Sequence, residues 1–188
     1  MTTLPDRPNT ALLVIDLQQD VVAEAHDRDA VISTIAGLID GARGERVQII
    51  WVQHSADELP RESTGWQLVP ELKPHPLEPV VHKRHGDAFE ATDLEELLAD
   101  VGVGRLVVCG AETDACIRST IHGAFTRGYD VTLVADGHTT SDLSSWGAPP
   151  PAVAIANVNL YWSFQTAPGR EASVVTAAEV DFTAAATR

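Results

Sequence analysis

The residues with the most distinctive chemistry in this chain are cysteine and lysine, because each type occurs only twice among 188 residues. Cys116 follows an apolar run that ends at Cys109, and it is predicted to lie in the first turn of a helix capped by Thr113. There the helix dipole and free backbone amides favour a thiolate and can stabilise an oxyanion. The alternative is a small buried hydrophobe, the commoner fate of cysteine. Cys109 itself is expected to be buried and inert.

Asp16 and Lys83 are two further residues whose positions favour chemistry. Asp16 closes the apolar run 11–15, and a partly desolvated carboxylate can act as general base and acid. Capping of the following turn is its alternative role. Lys83 lies in the basic run 82–85, which by itself indicates a solvated patch. An ammonium group beside a thiolate and a carboxylate would stabilise both the nucleophile and the developing charge.

The elements that would position these side chains are short apolar strands alternating with amphipathic helices. Because no hairpin signal separates the strands, the pattern predicts parallel βαβ units, an α/β fold with helices on both faces of one sheet. The chain is interpreted as one domain over residues 1–188. Asp16 closes the first apolar run, Lys83 follows the short apolar pair 80–81, and Cys116 follows the run 105–109. Open parallel sheets bind ligands at the carboxyl ends of their strands, which is where these three residues are predicted to lie. The apolar runs that predict strands are 11–15, 47–52, 105–109, 131–135 and 172–175.

The charge balance excludes several classes of partner. With 13 basic and 27 acidic residues the formal net charge is −14, which offers no electrostatic footprint for phosphate backbones or anionic lipid. We therefore expect no nucleic-acid partner and no membrane partner. The polar N-terminal segment 1–9 is neither a signal peptide nor an anchor by its pattern. Two cysteines are too few for a disulfide scaffold, so a cytoplasmic location is expected.

Four segments, taken together, resemble the isochorismatase-like cysteine hydrolases. Each is weak alone, but their order and spacing are specific to that superfamily. The resemblance implies a three-layer α/β/α fold with a doubly wound, parallel, six-stranded sheet in the order 3-2-1-4-5-6. This agrees with the fold class reached from the strand pattern. The segments are 13–20 around the first aspartate, 83–94 around the lysine, 109–120 around the cysteine, and 136–140 at the end of the fifth strand.

The resemblance also implies site residues. Cys116, Asp16 and Lys83 would form a catalytic triad, with the cysteine as nucleophile. A non-proline cis peptide is implied between Ala111 and Glu112. The backbone N–H groups of Glu112 and Cys116 would then form the oxyanion hole.

The chain departs from the metal-carrying members of the superfamily. Residues 51–57 lack the Asp-x-His spacing found there, so we expect no catalytic metal and no cofactor. His54 alone is more typical of a hydrogen-bonded loop residue than of a metal ligand. Residues 64–72 resemble the smaller, metal-free branch that includes streptothricin hydrolase. Trp66 and Phe89 are candidate substrate-binding residues, and plain packing is their alternative role.

These observations predict a cysteine-dependent amidohydrolase. It would cleave a C–N (amide) bond of a small molecule through an acyl-thioenzyme, and a streptothricin-like or other cyclic amide is a candidate substrate. Two alternatives stay open: a catalytically idle binding or assembly protein, and an isochorismatase-type hydrolase with a non-amide substrate. A homodimer or higher homo-oligomer is expected from the resemblance, with the helices after Cys116 and Pro151 offering an apolar face.

Overall fold

The computed structural model describes residues 2–183, and its strands form one twisted sheet. The strands are β1 Asn9–Ile15, β2 Gln48–His54, β3 Val80–Lys83, β4 Val103–Ala111, β5 Asp130–Thr139, β6 Thr166–Ala167 and β7 Arg170–Val175. The helices are α1 Arg28–Gly44, α2 Leu94–Asp100, α3 Arg118–Arg127 and α4 Pro151–Ser163. The strand order is β3-β2-β1-β4-β5-β7-β6, and every neighbouring pair is parallel except β6 with β7.

This arrangement confirms the doubly wound α/β fold and corrects the strand number. Six parallel strands follow the predicted order, with β7 in the sixth place, and β6 adds a seventh strand at the edge. The extra strand is only two residues long, so it has no apolar run that could signal it. It exists because the chain reverses at Pro168 and Gly169, where Gly169 has a φ of 67° that a side chain would strain.

Two apolar cores lie on opposite faces of the sheet. Alternate residues of β1 point to each side, so Leu13 packs with one core and Leu12 with the other. The first core is covered by residues of α2, α3 and α4, and the second is covered by α1. A strand buried on both faces reads as a continuous apolar run, and six of the seven residues of β1 are buried. None of the helices within residues 2–183 is long and apolar enough to cross a membrane.

The carboxyl ends of the central strands meet at one edge, where the candidate residues lie. Asp16 directly follows β1. His54 is the last residue of β2 and Lys83 is the last residue of β3, and these two residues are paired in the register of the two strands. Gly110 near the end of β4 has a φ of 126°, and a Cβ there would collide with the backbone of Ile15. This glycine therefore allows β4 to approach β1 closely where the chain turns toward Cys116.

Candidate active site

Lys83 brings the three predicted residues into direct contact. Its ammonium nitrogen Nζ lies 2.7 Å from Asp16 Oδ2 and donates a hydrogen bond of 3.0 Å to Cys116 Sγ. It also donates to the backbone oxygen of His85 at 3.2 Å. The side chains of Lys83 and Asp16 are almost completely buried, with exposed fractions of 0% and 1%. A buried ion pair therefore lies directly beside a thiol.

Asp16 is held in an unusual conformation and keeps one oxygen free. Its φ is 52°, in the left-handed region that non-glycine residues rarely adopt, and its backbone N–H donates to the Val52 oxygen at 2.9 Å. Within residues 2–183, Oδ1 has no hydrogen-bond partner. Burial raises the pKa of the Asp16 carboxyl, although the Lys83 charge opposes that rise. The carboxylate is therefore poised to accept a proton.

Cys116 lies in a π-helical turn, Thr113–Ile117, that continues directly into α3. The N-cap is Glu112 rather than the predicted Thr113, so Cys116 is the fourth residue of the turn. The Ala111–Glu112 peptide bond is cis. Burial, followed by the Asp16 charge, raises the pKa of the Cys116 thiol to about 12, and the Lys83 ammonium only partly offsets this rise. The resting group is therefore a thiol and not the thiolate that its helical position favoured.

Lys83 remains charged despite its burial. Burial lowers the pKa of the ammonium group, but the Asp16 carboxylate and the Cys116 sulfur raise it by more, and the net pKa lies above the ordinary value. A positive charge held beside the thiol can stabilise a thiolate once the proton has left. The other lysine, Lys73, is exposed and lies outside this group.

His54 belongs to this group, although the sequence indicated only a loop residue. Its Nδ1 is 3.4 Å from Lys83 Nζ. The buried side chain of Gln18 holds its backbone from both sides, because Oε1 accepts from the His54 N–H at 2.7 Å and Nε2 donates to the His54 oxygen at 2.9 Å. Burial, followed by the Lys83 charge, lowers the pKa of His54, so the imidazole is neutral near pH 7. The signal available in the sequence was the position of His54 at the end of a predicted strand next to that of Asp16.

The carboxyl end of β5 and the residue that follows it hold the nucleophile turn in place. His138 Nδ1 lies 2.8 Å from Thr113 Oγ1, and the Thr140 hydroxyl donates to Asp114 Oδ1 at 2.9 Å. Both His138 and Thr113 are fully buried, so this contact fixes the turn from inside the protein. The fourth segment of the resemblance, 136–140, therefore acts by positioning the turn that carries Cys116.

The cavity over Cys116 has a volume of about 380 Å³ and is mainly acidic and apolar. Cys116, Asp16 and His54 line it together with Glu112 and Ser141. The remaining lining residues are Asp20, Val21, Ala56, Glu58 and Leu59. Small organic ligands bind in cavities of this size.

The structure does not bring Trp66 and Phe89 to this cavity. Trp66 is 8% exposed, stacks beside His82 with ring centroids 5.4 Å apart, and its backbone oxygen accepts from Gln18 Nε2 at 3.0 Å. Phe89 is 6% exposed and packs against Tyr129 in the first core, 5.7 Å between centroids. Neither residue is among those that line this cavity, and a substrate-binding role for the two rings stays a prediction.

Asp16, His54 and Cys116 are also the residues that could hold a metal ion in the part of the chain that the structure describes. However, Lys83 Nζ lies within 3.4 Å of an atom of each of the three. A metal ion at this point would have to displace a buried ammonium from its ion pair. The residues therefore do not fit a metal ion while Lys83 is present.

Comparison with known proteins agrees with this fold. The isochorismatase domain family matches residues 10–148. The chain belongs to the isochorismatase domain family. Among solved structures, an isochorismatase from Pseudomonas putida KT2440 superimposes with a TM-score of 0.83 at 29% identity, covering 92% of this chain and 90% of that one.

Three curated relatives describe the range of the family around this chain. A streptothricin hydrolase of Streptomyces noursei is 35% identical over 144 residues, which are 73% of this chain and 57% of the relative. A ureidoacrylate amidohydrolase RutB of Enterobacter sp. (strain 638) is 26% identical, with coverages of 72% and 81%. A probable inactive nicotinamidase of Arabidopsis thaliana is 27% identical, with coverages of 80% and 86%. The chain thus spans little more than half the length of its streptothricin hydrolase relative.

Proposed function

We propose that this protein is a cysteine-dependent amidohydrolase with Cys116 as nucleophile, Asp16 as general base and acid, and Lys83 as electrostatic partner. The observation that carries the proposal is the position of Lys83 Nζ, 2.7 Å from the Asp16 carboxylate and 3.0 Å from the sulfur of Cys116, where Asp16 and Cys116 both line a cavity. Acyl transfer to sulfur requires a nucleophile, a base and a fixed cation in contact with one another, and these three residues supply them. The amidohydrolase and streptothricin hydrolase relatives support a C–N bond as the target.

In the acylation step, Asp16 Oδ1 takes the Cys116 proton and the sulfur attacks the amide carbonyl carbon. The free oxygen suits this role because the other oxygen is already bound to Lys83. The backbone N–H groups of Glu112 and Cys116 are proposed to bind the oxyanion. The raised pKa of Asp16 favours uptake of that proton, which Asp16 then passes to the leaving nitrogen as the C–N bond breaks.

In the deacylation step, Asp16 accepts a proton from a water molecule that attacks the thioester carbonyl. The C–S bond breaks, the carboxylic acid product leaves, and the proton on Asp16 returns to Cys116. Lys83 keeps a positive charge throughout, since its pKa lies above the ordinary value. It therefore stabilises the thiolate each time it forms.

We propose a small-molecule amide as the substrate, with a streptothricin-like or other cyclic amide as the first candidate. A 35% identical relative is a streptothricin hydrolase, and the cavity of about 380 Å³ accommodates a small molecule. Action in the cytoplasm is proposed because a thiol nucleophile must stay reduced, and both cysteines are free.

The proposal is tested by measuring ammonia or amine release from a panel of linear amides, lactams and ureides, with mass spectrometry of the trapped enzyme. We expect an acyl adduct on Cys116 and a loss of about 1,000-fold or more in turnover for Cys116→Ala. Cys109→Ala is the matched control, because Cys109 is completely buried away from the cavity. A Cys116→Ala variant that keeps more than a few per cent of the turnover contradicts the covalent route.

Two other functions have separate outcomes in the same panel. A folded protein that turns over none of the amides but cleaves a vinyl ether is an isochorismatase-type hydrolase with a non-amide substrate. A folded protein that cleaves neither class is catalytically idle. This alternative is included because one relative is a probable inactive nicotinamidase. Folding is checked independently by circular dichroism.

A further inference from the structure

The side chains around Lys83 form the ligand set of a cation site. One donor atom from each of Asp16, His54 and Cys116 lies within 4.8 Å of the other two. Carboxylate oxygen, imidazole nitrogen and thiolate sulfur are the ligands of tetrahedral zinc sites. Lys83 Nζ contacts all three, at 2.7 Å from Asp16 Oδ2, 3.0 Å from Sγ and 3.4 Å from His54 Nδ1. The ammonium nitrogen thus lies where a metal ion would lie.

We propose that Lys83 is the resident cation of this three-ligand site and that His54 is a positioning residue that holds the ammonium between Asp16 and Cys116. His54 acts through Lys83, and the proposal is independent of which substrate the protein cleaves. Because the ammonium can only donate, His54 Nδ1 must accept, and the ring proton must lie on Nε2.

The surroundings of His54 are built to hold it in this position. His54 and Lys83 pair in register between β2 and β3, so their side chains leave the sheet side by side. Gln18 fixes the backbone of His54 with one accepted and one donated hydrogen bond, and Gln18 is completely buried. The Gln18 amide also links His54 to the chain that follows Asp16. Such outer partners fix the orientation of a ligand residue in the same way around bound metals.

Removal of the ammonium should convert the site into a metal site. We expect Lys83→Ala to bind Zn²⁺ or Co²⁺ about 100-fold more tightly than the wild type, with a sulfur-to-cobalt charge-transfer band for Co²⁺. Lys83→Met fills the same space with an apolar chain and should bind neither ion tightly. Lys73→Ala, which removes the exposed lysine, is the matched control and should behave as the wild type.

A double variant and a measurement on the wild type keep the proposal falsifiable. The double variant Lys83→Ala and His54→Ala should bind Co²⁺ roughly 100-fold more weakly than Lys83→Ala alone. Nitrogen-15 NMR of the wild type should find His54 with a bare Nδ1 and a protonated Nε2, its signals assigned by their loss in His54→Gln. The proposal is overturned if folded Lys83→Ala binds Co²⁺ no better than the wild type. If that variant fails to fold, a proton on Nδ1 of wild-type His54 overturns it instead.

Discussion

Substitution of Asp16 by asparagine separates the two effects that the carboxylate has on Cys116. The carboxylate is the proposed acceptor of the thiol proton, yet its charge also raises the pKa of the thiol. Asparagine keeps the shape and removes both the charge and the basicity. We therefore expect Asp16→Asn to abolish hydrolysis while it makes the resting thiol easier to ionise.

The size of the second effect follows from the geometry. The sulfur lies within 4.8 Å of an Asp16 oxygen. At an effective dielectric constant of about 20, a carboxylate at that distance destabilises the thiolate by about 3.5 kcal/mol. This energy corresponds to a rise of about 2.5 units in the pKa of the thiol. The pKa of the thiol, about 12 in the wild type, should fall accordingly. The lower pKa increases the fraction of Cys116 present as thiolate at pH 8, but a thiolate of lower pKa is also a weaker nucleophile. The alkylation rate at pH 8 should therefore rise by about 20-fold, which is less than the increase in the thiolate fraction.

The assay is the rate of iodoacetamide labelling of Cys116 at pH 8, followed by mass spectrometry, together with amide turnover. Asp57→Asn is the charge-matched control, because its side chain is 99% exposed and its partner Arg84 lies at the surface. Turnover should fall by about 1,000-fold or more, since proton transfer is lost. Slower labelling of Asp16→Asn than of the wild type would refute the reasoning, because Asp16 would then activate the resting thiol.

Two further predictions concern the residues that support the site. Burial lowers the pKa of His138 below 6.5, so the unfolded chain takes up a proton first as the pH falls. Stability is therefore lost as the pH falls below about 6.5, and His138→Gln should reduce that loss in urea unfolding between pH 7 and 5. Gln18→Leu leaves the His54 N–H and oxygen without their partner and should lower the free energy of unfolding by about 2–4 kcal/mol; an unchanged urea midpoint would contradict this.

Much of the fold could be predicted from apolar runs. The run 11–15 became β1, and 172–175 lies within β7, because a strand buried on both faces must be apolar along its whole length. The two-residue β6 could not be predicted, since it depends on a turn at Gly169 and on the edge that β7 offers. The Glu112 N-cap was also missed, because the π-helical turn depends on how β4 enters it.

The sequence identified the candidate residues, whereas the packing of the folded chain determined the contacts between them. Asp16, Lys83 and Cys116 could be selected because each follows a predicted strand and because their segments resemble one family. The contact of His54 with Lys83 depends on the register of β2 with β3, which no local pattern encodes. The burial of Trp66 and Phe89 could not be predicted, because aromatic rings suit a ligand pocket and a core equally well.

The sequence by itself determined the residue types, the alternation of strands and helices that gathers them, and the acidic net charge. Only the tertiary structure decided the protonation of the site. A cysteine near a helix start is expected to ionise easily, but burial beside Asp16 raises the pKa of Cys116 to about 12. The reason is that solvation and the distance between charges are properties of the folded chain. Both arise when the strand ends meet and exclude water.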